Sequence, residues 1–441
     1  MNCISGSKPQ LRACVGTGAK CKGLLLLCLT VCTACGAPAS ESSQPNEPLN
    51  YQISYTVNPN PADQTLDVTL ELRQSRSLLR EMTMWPDSRV SEIRANGELE
   101  IDAGTVRWRP PANGGTMSWR VKVEHERNNN GYDAWLGPDW GLFRAEDIIP
   151  RAATRTRKGA HSETRLLFEL PAQWSVVTQY YGDRHQFNAR NRKRRFDQPS
   201  GWIVMGKIGV RRETIAGTRV AVAGPVANSV RRMDVLALLN WTLPELGRIL
   251  PDLPSRLTIV SAGDPMWRGG LSAPQSLFVH ADRPLISENA TSTVLHEVMH
   301  LALGIKAAEN FDWIIEGLAE YYSLELLLRS GTISPTRYKT AKAAQAKWAA
   351  SVKALCRSTS TGATTAFAVT VLTSLDQEIR QSSDGNANLD DVIRKLWHSS
   401  EPIGLQTLIE ITEQLTGSKP DALRIGKLPG CHNIVPNNQP M

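Results

Sequence analysis

Hydrophobic and polar positions change their period along the chain. From residue 50 to about residue 222, short runs such as TLDVTLEL, MSWRVKVEHE and GWIVMGKIGV alternate apolar with polar side chains, and Gly, Pro and Asn separate the runs. This pattern predicts an all-β region. From VRRMDVLALLNWTLPELGRIL at 230–250 onward, the period becomes helical. The sequence therefore predicts an α+β chain that begins with strands and ends with helices.

Short apolar runs and longer helical segments alternate in the middle of the chain. SRLTIVSAG and SLFVHAD predict two short strands, and TSTVLHEVMHLALGI at 291–305 predicts a helix because no proline interrupts it. FDWIIEGLAEYYSLELLL at 311–328 predicts a second helix, and the composition beyond residue 339 is rich in alanine and helical in pattern. We predict a multidomain chain with a β-domain over 50–225, a mixed domain over 226–340 and a helical region over 341–441.

The first 35 residues have the pattern of an export signal. A basic stretch precedes the apolar run GLLLLCLTVCTA, which is too short to span a bilayer. The run ends in CTAC and resembles a bacterial lipobox, with Cys35 as the lipidated first residue of the mature chain; a simple secretory signal is the alternative. Residues 36–49 predict a polar linker. We expect a lipoprotein on the periplasmic side of the outer membrane or, without the lipid, a secreted or periplasmic protein.

The net charge argues against a nucleic-acid partner. The formal charge is +7, but four basic residues precede the first acidic residue, Glu41, so the rest of the chain carries only about +3. That excess is too small for a nucleic-acid-binding surface.

Six of the eight cysteines lie in the leader, and only Cys356 and Cys431 remain in the body of the chain. Because disulfides form in exported proteins, we predict that these two residues pair. The bond would tie the C-terminal tail to the helical region.

The segment HEVMH places two histidines on one face of a helix. His296 and His300 are four residues apart, so their imidazoles can reach a common point, and Glu297 stands beside the first. A catalytic zinc site needs three protein ligands and one open position. The following helix carries Glu316 near its start. The alternative interpretation is a pair of half-buried helix histidines without a metal.

HEVMH followed by WIIEGLAEYY resembles the gluzincin metallopeptidases of the thermolysin-like clan, nearest to the branch of aminopeptidase N and the glycyl aminopeptidases. The resemblance implies a thermolysin-like catalytic domain with a short sheet and one Zn²⁺ per chain, held by His296, His300 and Glu316. It implies that Glu297 is the general base. It also implies that Glu320, one turn after the third ligand, accepts a hydrogen bond from a ligating histidine.

These residue types suit the hydrolysis of a peptide bond. Two neutral imidazoles and one carboxylate leave zinc with positive charge, which lowers the pKa of bound water toward about 7 and polarises a carbonyl. Glu297 can take the proton of that water and pass it to the leaving amine. We therefore expect a peptide or protein substrate.

The stretch WRGGLSAPQSLFVH at 267–280 corresponds to the glycine-rich edge strand of the aminopeptidase branch. Gly269, Gly270 and Leu271 are expected to bind the backbone of an extended substrate. Ser272 and Ala273 stand where the family has a glutamate that binds the free amino terminus. Aminopeptidase specificity is therefore doubtful, and an endopeptidase or an enzyme of narrow specificity fits equally well.

Gluzincins also place a tyrosine or histidine downstream of the third ligand to stabilise the oxyanion. The candidates here are Tyr338 and His398. A different class of function stays open: a catalytically inactive binding or scaffold protein of the cell envelope that retains the peptidase fold. Glu297 argues against it, since a purely structural zinc site needs no base. The oligomeric state is not indicated.

Overall fold

The computed structural model describes residues 49–127, 131–190, 195–397 and 399–432. The predicted signal segment with Cys35, the linker up to residue 48, and His398 lie outside these ranges. From Leu49 onward the chain forms one compact unit. Among the described residues, no helix combines the length and the apolar character needed to cross a membrane.

The N-terminal part of the described chain is built almost entirely of strands. In chain order these are β1 (Asn50–Asn60), β2 (Thr65–Arg73), β3 (Leu79–Trp85), β4 (Val90–Ala95), β5 (Glu98–Asp102), β6 (Thr105–Arg109), β7 (Gly114–Lys122), β8 (His125–Glu126), β9 (Tyr132–Leu136), β10 (Trp140–Arg144), β11 (Arg151–Thr156), β12 (His161–Phe168), β13 (Ser175–Thr178), β14 (Tyr181–Asp183), β15 (Gln186–Asn188) and β16 (Trp202–Gly206). A single short helix, α1 (Ala145–Ile148), follows β10.

These strands form three sheets. The first has the order β14-β15-β12-β1-β2-β7-β4, the second β13-β16-β10-β9-β8 and the third β11-β3-β6-β5. The alternation in the sequence explains the packing, because β1 buries Tyr51, Ile53 and Tyr55 on one face while the residues between them are more exposed. The paired strand β2 buries Leu66 and Leu70 in the same hydrophobic core.

A fourth sheet carries the part of the chain that leads to the HEVMH segment. Its strands are β17 (Ile208–Ile215), β18 (Thr218–Pro225), β19 (Arg256–Val260), β20 (Gly270–Ala273) and β21 (Ser276–Val279), in the order β17-β18-β19-β21-β20. Strand β19 runs parallel to both β18 and β21, whereas β20 is antiparallel to β21 and lies at the edge of the sheet. One side of β20 is therefore left without a partner strand among the described residues.

Helices dominate the rest of the chain. They are α2 (Arg232–Ile249), α3 (Thr293–Leu303), α4 (Asp312–Arg329), α5 (Pro335–Ala349), α6 (Ala363–Ser382), α7 (Leu389–Leu396) and α8 (Leu405–Thr416). The Ser292 hydroxyl accepts a hydrogen bond from the Leu295 N–H and so caps α3, and Gly304 ends that helix in the left-handed conformation. Helix α4 packs closely on α6, because a Cβ at Gly317 would lie 2.6 Å from the Cβ of Ala368.

The predicted α+β class, with a β-rich N-terminal part and helices toward the C-terminus, is confirmed. The predicted boundary at 225 falls at the end of β18, yet β17 and β18 share their sheet with β19. Helix α5 runs across the predicted boundary at 340. One hydrophobic core extends from Ile215 to Cys431 and joins the residues on both sides of that boundary. Packing in this part of the protein is therefore continuous across both predicted boundaries.

Candidate metal centre and its cleft

Helices α3 and α4 bring three potential metal ligands together. The Nε2 atoms of His296 and His300 are 3.1 Å apart. From α4, the Glu316 carboxylate places Oε2 3.2 Å from Nε2 of His296 and Oε1 3.3 Å from Nε2 of His300. The three side chains are partly buried, and among the described residues they are the group whose donor atoms are close enough to share one ion.

The spacing of these donor atoms fits zinc. Tetrahedral zinc with bonds of about 2.0–2.1 Å to nitrogen and oxygen holds its ligand atoms about 3.3 Å from one another. The contacts of 3.1 to 3.3 Å between His296, His300 and Glu316 match that separation. Two imidazoles and one carboxylate also form a donor set found in catalytic zinc sites, where a fourth position stays open.

A chain of hydrogen bonds orients His296. Its Nδ1 lies 3.1 Å from Oε2 of Glu320, one turn beyond Glu316 on α4. The Gln345 amide on α5 donates to the other oxygen of Glu320 over 3.2 Å. A carboxylate beside Nδ1 favours the tautomer with a proton on Nδ1, so that the lone pair of Nε2 points to the common centre.

Sequence reasoning did not identify Gln345. The signal for it is a buried stripe on α5 with a spacing of four residues, Ala341, Gln345 and Ala349, in which the glutamine is the only polar member. A glutamine on an otherwise alanine-lined face needs a polar partner, and here that partner is Glu320.

Charges within the group shift the pKa values of its members. With no metal ion bound, burial alone would lower the pKa of His296, but hydrogen bonds to Glu316 and Glu320 outweigh it and raise the value to about 10. A bound metal ion would displace the proton from Nε2. Burial alone would raise the pKa of Glu316, yet its hydrogen bonds to His296 and His300 lower the value to about 2. The carboxylate is therefore ionised at neutral pH and available as a ligand.

Glu297 lies beside the three ligands and is only 7% exposed. Burial raises the pKa of its carboxyl, although the positive charges on His296 and His300 oppose the rise. The Ser272 side chain of β20 lies near this carboxylate and also opposes the rise of its pKa. The edge strand therefore touches the residue that the sequence assigns as the general base.

Gly270 permits the close approach of β20 to α3. A Cβ at this position would lie 2.5 Å from the Cγ2 of Thr293 and 3.0 Å from Oε1 of Glu297. Both distances are too short for ordinary packing, so a side chain at residue 270 would push β20 away from α3. The predicted substrate residues Gly269, Gly270 and Leu271 all line the cleft beside Glu297.

The metal ligands open into a cleft of about 1160 Å³. We name its lining by three walls. The helical wall consists of the ligands and Glu297 on α3 and α4, the edge-strand wall of Trp267 and residues 269–272, and the loop wall of residues 358–362. Trp348 and Arg127 also line the cleft.

The loop wall is held in place from two sides. The Ser360 N–H donates to the Asp312 carboxylate at the start of α4 over 2.7 Å. Cys356, just before the loop wall, forms a disulfide with Cys431, so the predicted pair is present in the structure. The Leu355 N–H donates to the carbonyl of Pro429 over 2.7 Å and adds a backbone contact to the same tail.

The structure does not bring the predicted oxyanion residue Tyr338 to the cleft. Its hydroxyl donates to the Glu325 carboxylate, and the Lys342 ammonium lies 5.6 Å from its ring centre. This partly buried contact engages the hydroxyl that was predicted to stabilise the oxyanion. The other candidate, His398, lies outside the described residues.

The loop wall instead brings Ser358, Thr359 and Thr361 to the lining of the cleft, whereas the Ser360 hydroxyl is buried and lies 3.3 Å from the Thr365 hydroxyl. Sequence reasoning did not assign them a role. The available signal is the run STST directly after Cys356 and Arg357, which is unusual in a helical region because these residues favour turns.

Comparisons with known proteins support the fold. Neither a protein-family model nor a curated protein matches this chain. Among solved structures, an aminopeptidase N family protein from Idiomarina loihiensis is 17% identical with a TM-score of 0.61, and the match covers 86% of this chain and 74% of that one. A mutant M1 zinc metallopeptidase from Deinococcus radiodurans is 16% identical with a TM-score of 0.54, covering 85% of this chain and 92% of that one.

The chain therefore has the fold of aminopeptidase N and M1 metallopeptidase structures. The resemblance to gluzincins near the aminopeptidase N branch, which the sequence carries in HEVMH and WIIEGLAEYY, is confirmed at the level of the fold.

Proposed function

We propose that this protein is an exported zinc metallopeptidase that hydrolyses peptide bonds. The observation that carries the proposal is the position of Glu297, a buried carboxylate beside a donor set that fits zinc and at the floor of an open cleft. A structural zinc site would close its fourth position and would need no such carboxylate. The names of the two structural neighbours, which are metallopeptidases of the M1 and aminopeptidase N families, support the same class.

Each residue then has a chemical task. His296, His300 and Glu316 would hold the ion, which supplies Lewis acidity that polarises a substrate carbonyl and lowers the pKa of a water molecule. Glu297 would take a proton from the attacking water and deliver it to the nitrogen of the leaving amine. Ser272 would keep the carboxylate of Glu297 pointed into the cleft. No covalent bond between substrate and protein is needed.

The substrate would bind as an extended strand along β20. The unpartnered side of this edge strand offers backbone groups for pairing, and its contact with Glu297 would align a peptide carbonyl with the catalytic residues. Strand β20 itself carries no carboxylate to bind a free amino terminus. We therefore favour cleavage within chains or of blocked peptides over aminopeptidase activity. The proposal includes anchoring through Cys35, which rests on the leader sequence alone.

Glu297→Gln tests the proposal. Wild type should cleave members of a mixed peptide library, and the variant should cleave them about 10²- to 10⁴-fold more slowly, because it lacks the proton acceptor while its ligands are intact. Zinc per chain should be unchanged. Glu213→Gln, at an exposed site on β17 outside the cleft, is the matched control.

A scaffold without turnover would cleave nothing in either form, and that outcome would reject the peptidase assignment. Comparing amino-terminally blocked peptides with free ones in the same assay decides the specificity. A strict requirement for free termini would contradict our preference for internal cleavage.

A further inference from the structure

An arginine from the β-rich part of the chain reaches the cleft. Arg127 follows β8, and β9 after it pairs with the segment before β20. The Tyr132 N–H donates to the carbonyl of Pro265 over 3.0 Å, and the Trp267 N–H donates to the carbonyl of Tyr132 over 2.9 Å. These backbone bonds fix Arg127 and Trp267 side by side, although 140 positions separate them in the chain.

The guanidinium of Arg127 stacks on Trp267. Its central carbon lies 4.3 Å from the ring centre, and its Nη1 donates to the buried Asp133 carboxylate over 3.3 Å. A stacked guanidinium keeps its N–H donors in the plane of the group, where a carboxylate can meet two of them at once. Of the guanidinium nitrogens, only Nη1 has a hydrogen-bond partner among the described residues, and about a third of the side chain is exposed.

This stack lies against the edge-strand wall. A Cβ at Gly269 would collide with the Trp267 ring, so the ring covers that residue. The next residue, Gly270, is the one that touches Glu297. The cation therefore stands beside the strand on which we place the substrate, and Arg127 and Glu297 line the same cleft.

The charges that line the cleft outside the helical wall favour an anion here. Arg127, Arg283 and Lys306 contribute positive charge. Apart from Glu297, Glu316 and Glu320, two carboxylates line the cleft. Asp312 accepts a hydrogen bond from the Ser360 N–H, and Glu309 is exposed. The edge-strand wall has no acidic residue, and the Asp133 carboxylate, which offsets part of the charge of Arg127, is buried.

We propose that Arg127, stacked on Trp267, forms a subsite that binds a carboxylate of the substrate. This inference rests on the proposed peptidase function and adds the chemical class that the cleft selects. The carboxylate belongs either to an Asp or Glu side chain near the scissile bond or to the carboxyl terminus of a short peptide. Arg127 acts here as a specificity residue, because it contacts the substrate away from the bond that breaks.

Binding to an inactive form tests the subsite without relying on turnover. Zinc-loaded Glu297→Gln protein is titrated with amino-terminally acetylated peptides in matched sets, and the dissociation constant is measured by calorimetry. One set has an amidated carboxyl terminus and carries Glu or Gln at a single varied position. The other set has no acidic side chain and carries a free or an amidated carboxyl terminus. The first set detects an acidic side chain and the second detects a terminal carboxylate.

Two variants in the same background assign any preference to Arg127. Arg127→Gln alone would leave the buried Asp133 without its partner, so the main variant combines Arg127→Gln with Asp133→Asn, which removes both charges and leaves no unpaired buried carboxylate. Arg151→Gln is the matched control, because Arg151 also stacks on a tryptophan, Trp85, at 5.8 Å but does not line the cleft.

We expect one set to show about ten-fold tighter binding of the anionic peptide, as for a charge-assisted hydrogen bond that is partly exposed. The Arg127→Gln/Asp133→Asn variant should bind both members of that set equally, and Arg151→Gln should keep the preference. The subsite is refuted if neither set shows a preference, if the preference survives the loss of Arg127, or if Arg151→Gln removes it equally. Failure of the proposed function appears separately, as wild-type protein that cleaves none of these peptides.

Discussion

The helical wall and the edge-strand wall of the cleft are built by different means. On the helical wall, His296, His300 and Glu316 come from two consecutive helices and contact one another directly. On the edge-strand wall, Gly270 contributes the absence of a side chain, and Trp267 stacks with Arg127, which comes from the β-rich part of the chain. The difference teaches that the groups for the chemistry are encoded locally, whereas the surface that meets the substrate depends on contacts between distant segments.

The largest effect should come from the helical wall itself. Glu316→Ala removes one of three ligands and the negative charge that balances the ion, so we expect zinc binding to weaken by at least about 10³-fold and cleavage to become undetectable. Zinc content after dialysis and circular dichroism measure the two effects separately. Zinc retained at one equivalent in the folded variant would show that another group holds the ion.

A side chain at residue 270 should damage the edge-strand wall and leave the metal in place. In Gly270→Ala the new Cβ meets Thr293 and Glu297, so we expect kcat/KM to fall about ten- to a hundred-fold through displacement of the base, with zinc affinity within about two-fold of wild type. The control is Gly426→Ala, where a Cβ would have no atom within 4 Å. Equal activity of the two variants would mean that β20 does not set the position of Glu297.

The smallest effect on activity should come from the disulfide beside the loop wall. Replacing Cys356 and Cys431 by serine opens a loop of 75 residues, which should lower the free energy of unfolding by about 2–5 kcal/mol. We expect KM to rise by roughly two- to five-fold because residues 358–362 are less constrained, and zinc affinity to stay the same. Urea unfolding and steady-state kinetics measure these quantities. A large loss of zinc in the folded variant would contradict the expectation that the loop wall does not affect metal binding.

Features that depend on neighbouring residues could be predicted from the sequence, and features that depend on contacts between distant segments could not. The period of the β-rich part and the spacing of HEVMH depend on neighbouring residues, so the strands, α3 and the positions of His296 and His300 could be inferred. Tyr338 was a reasonable oxyanion candidate by its distance from Glu316 along the chain, but its hydroxyl binds Glu325. The direction in which the Tyr338 side chain points depends on the packing of α5 against α4, and a single sequence does not reveal that packing.

Residues that act through tertiary contacts could not be found in advance. Gln345 matters because α5 lies over Glu320, and Arg127 matters because β9 pairs with residues 265–267. The predicted domain boundaries stay predictions. The end of β18 is a natural break in the pattern of the sequence, yet its hydrogen bonds to β19 join the two sides.

The pairing of β9 with the segment around Met266 has a consequence for how this protein could change over time. The described residues of the β8–β9 hairpin contribute Arg127 to the cleft and none of the candidate metal ligands, so substitutions there could alter which sequences the proposed peptidase accepts while the metal site is inherited intact. Grafting this hairpin from one homologue onto another would therefore be a direct route to exchanging their preferences.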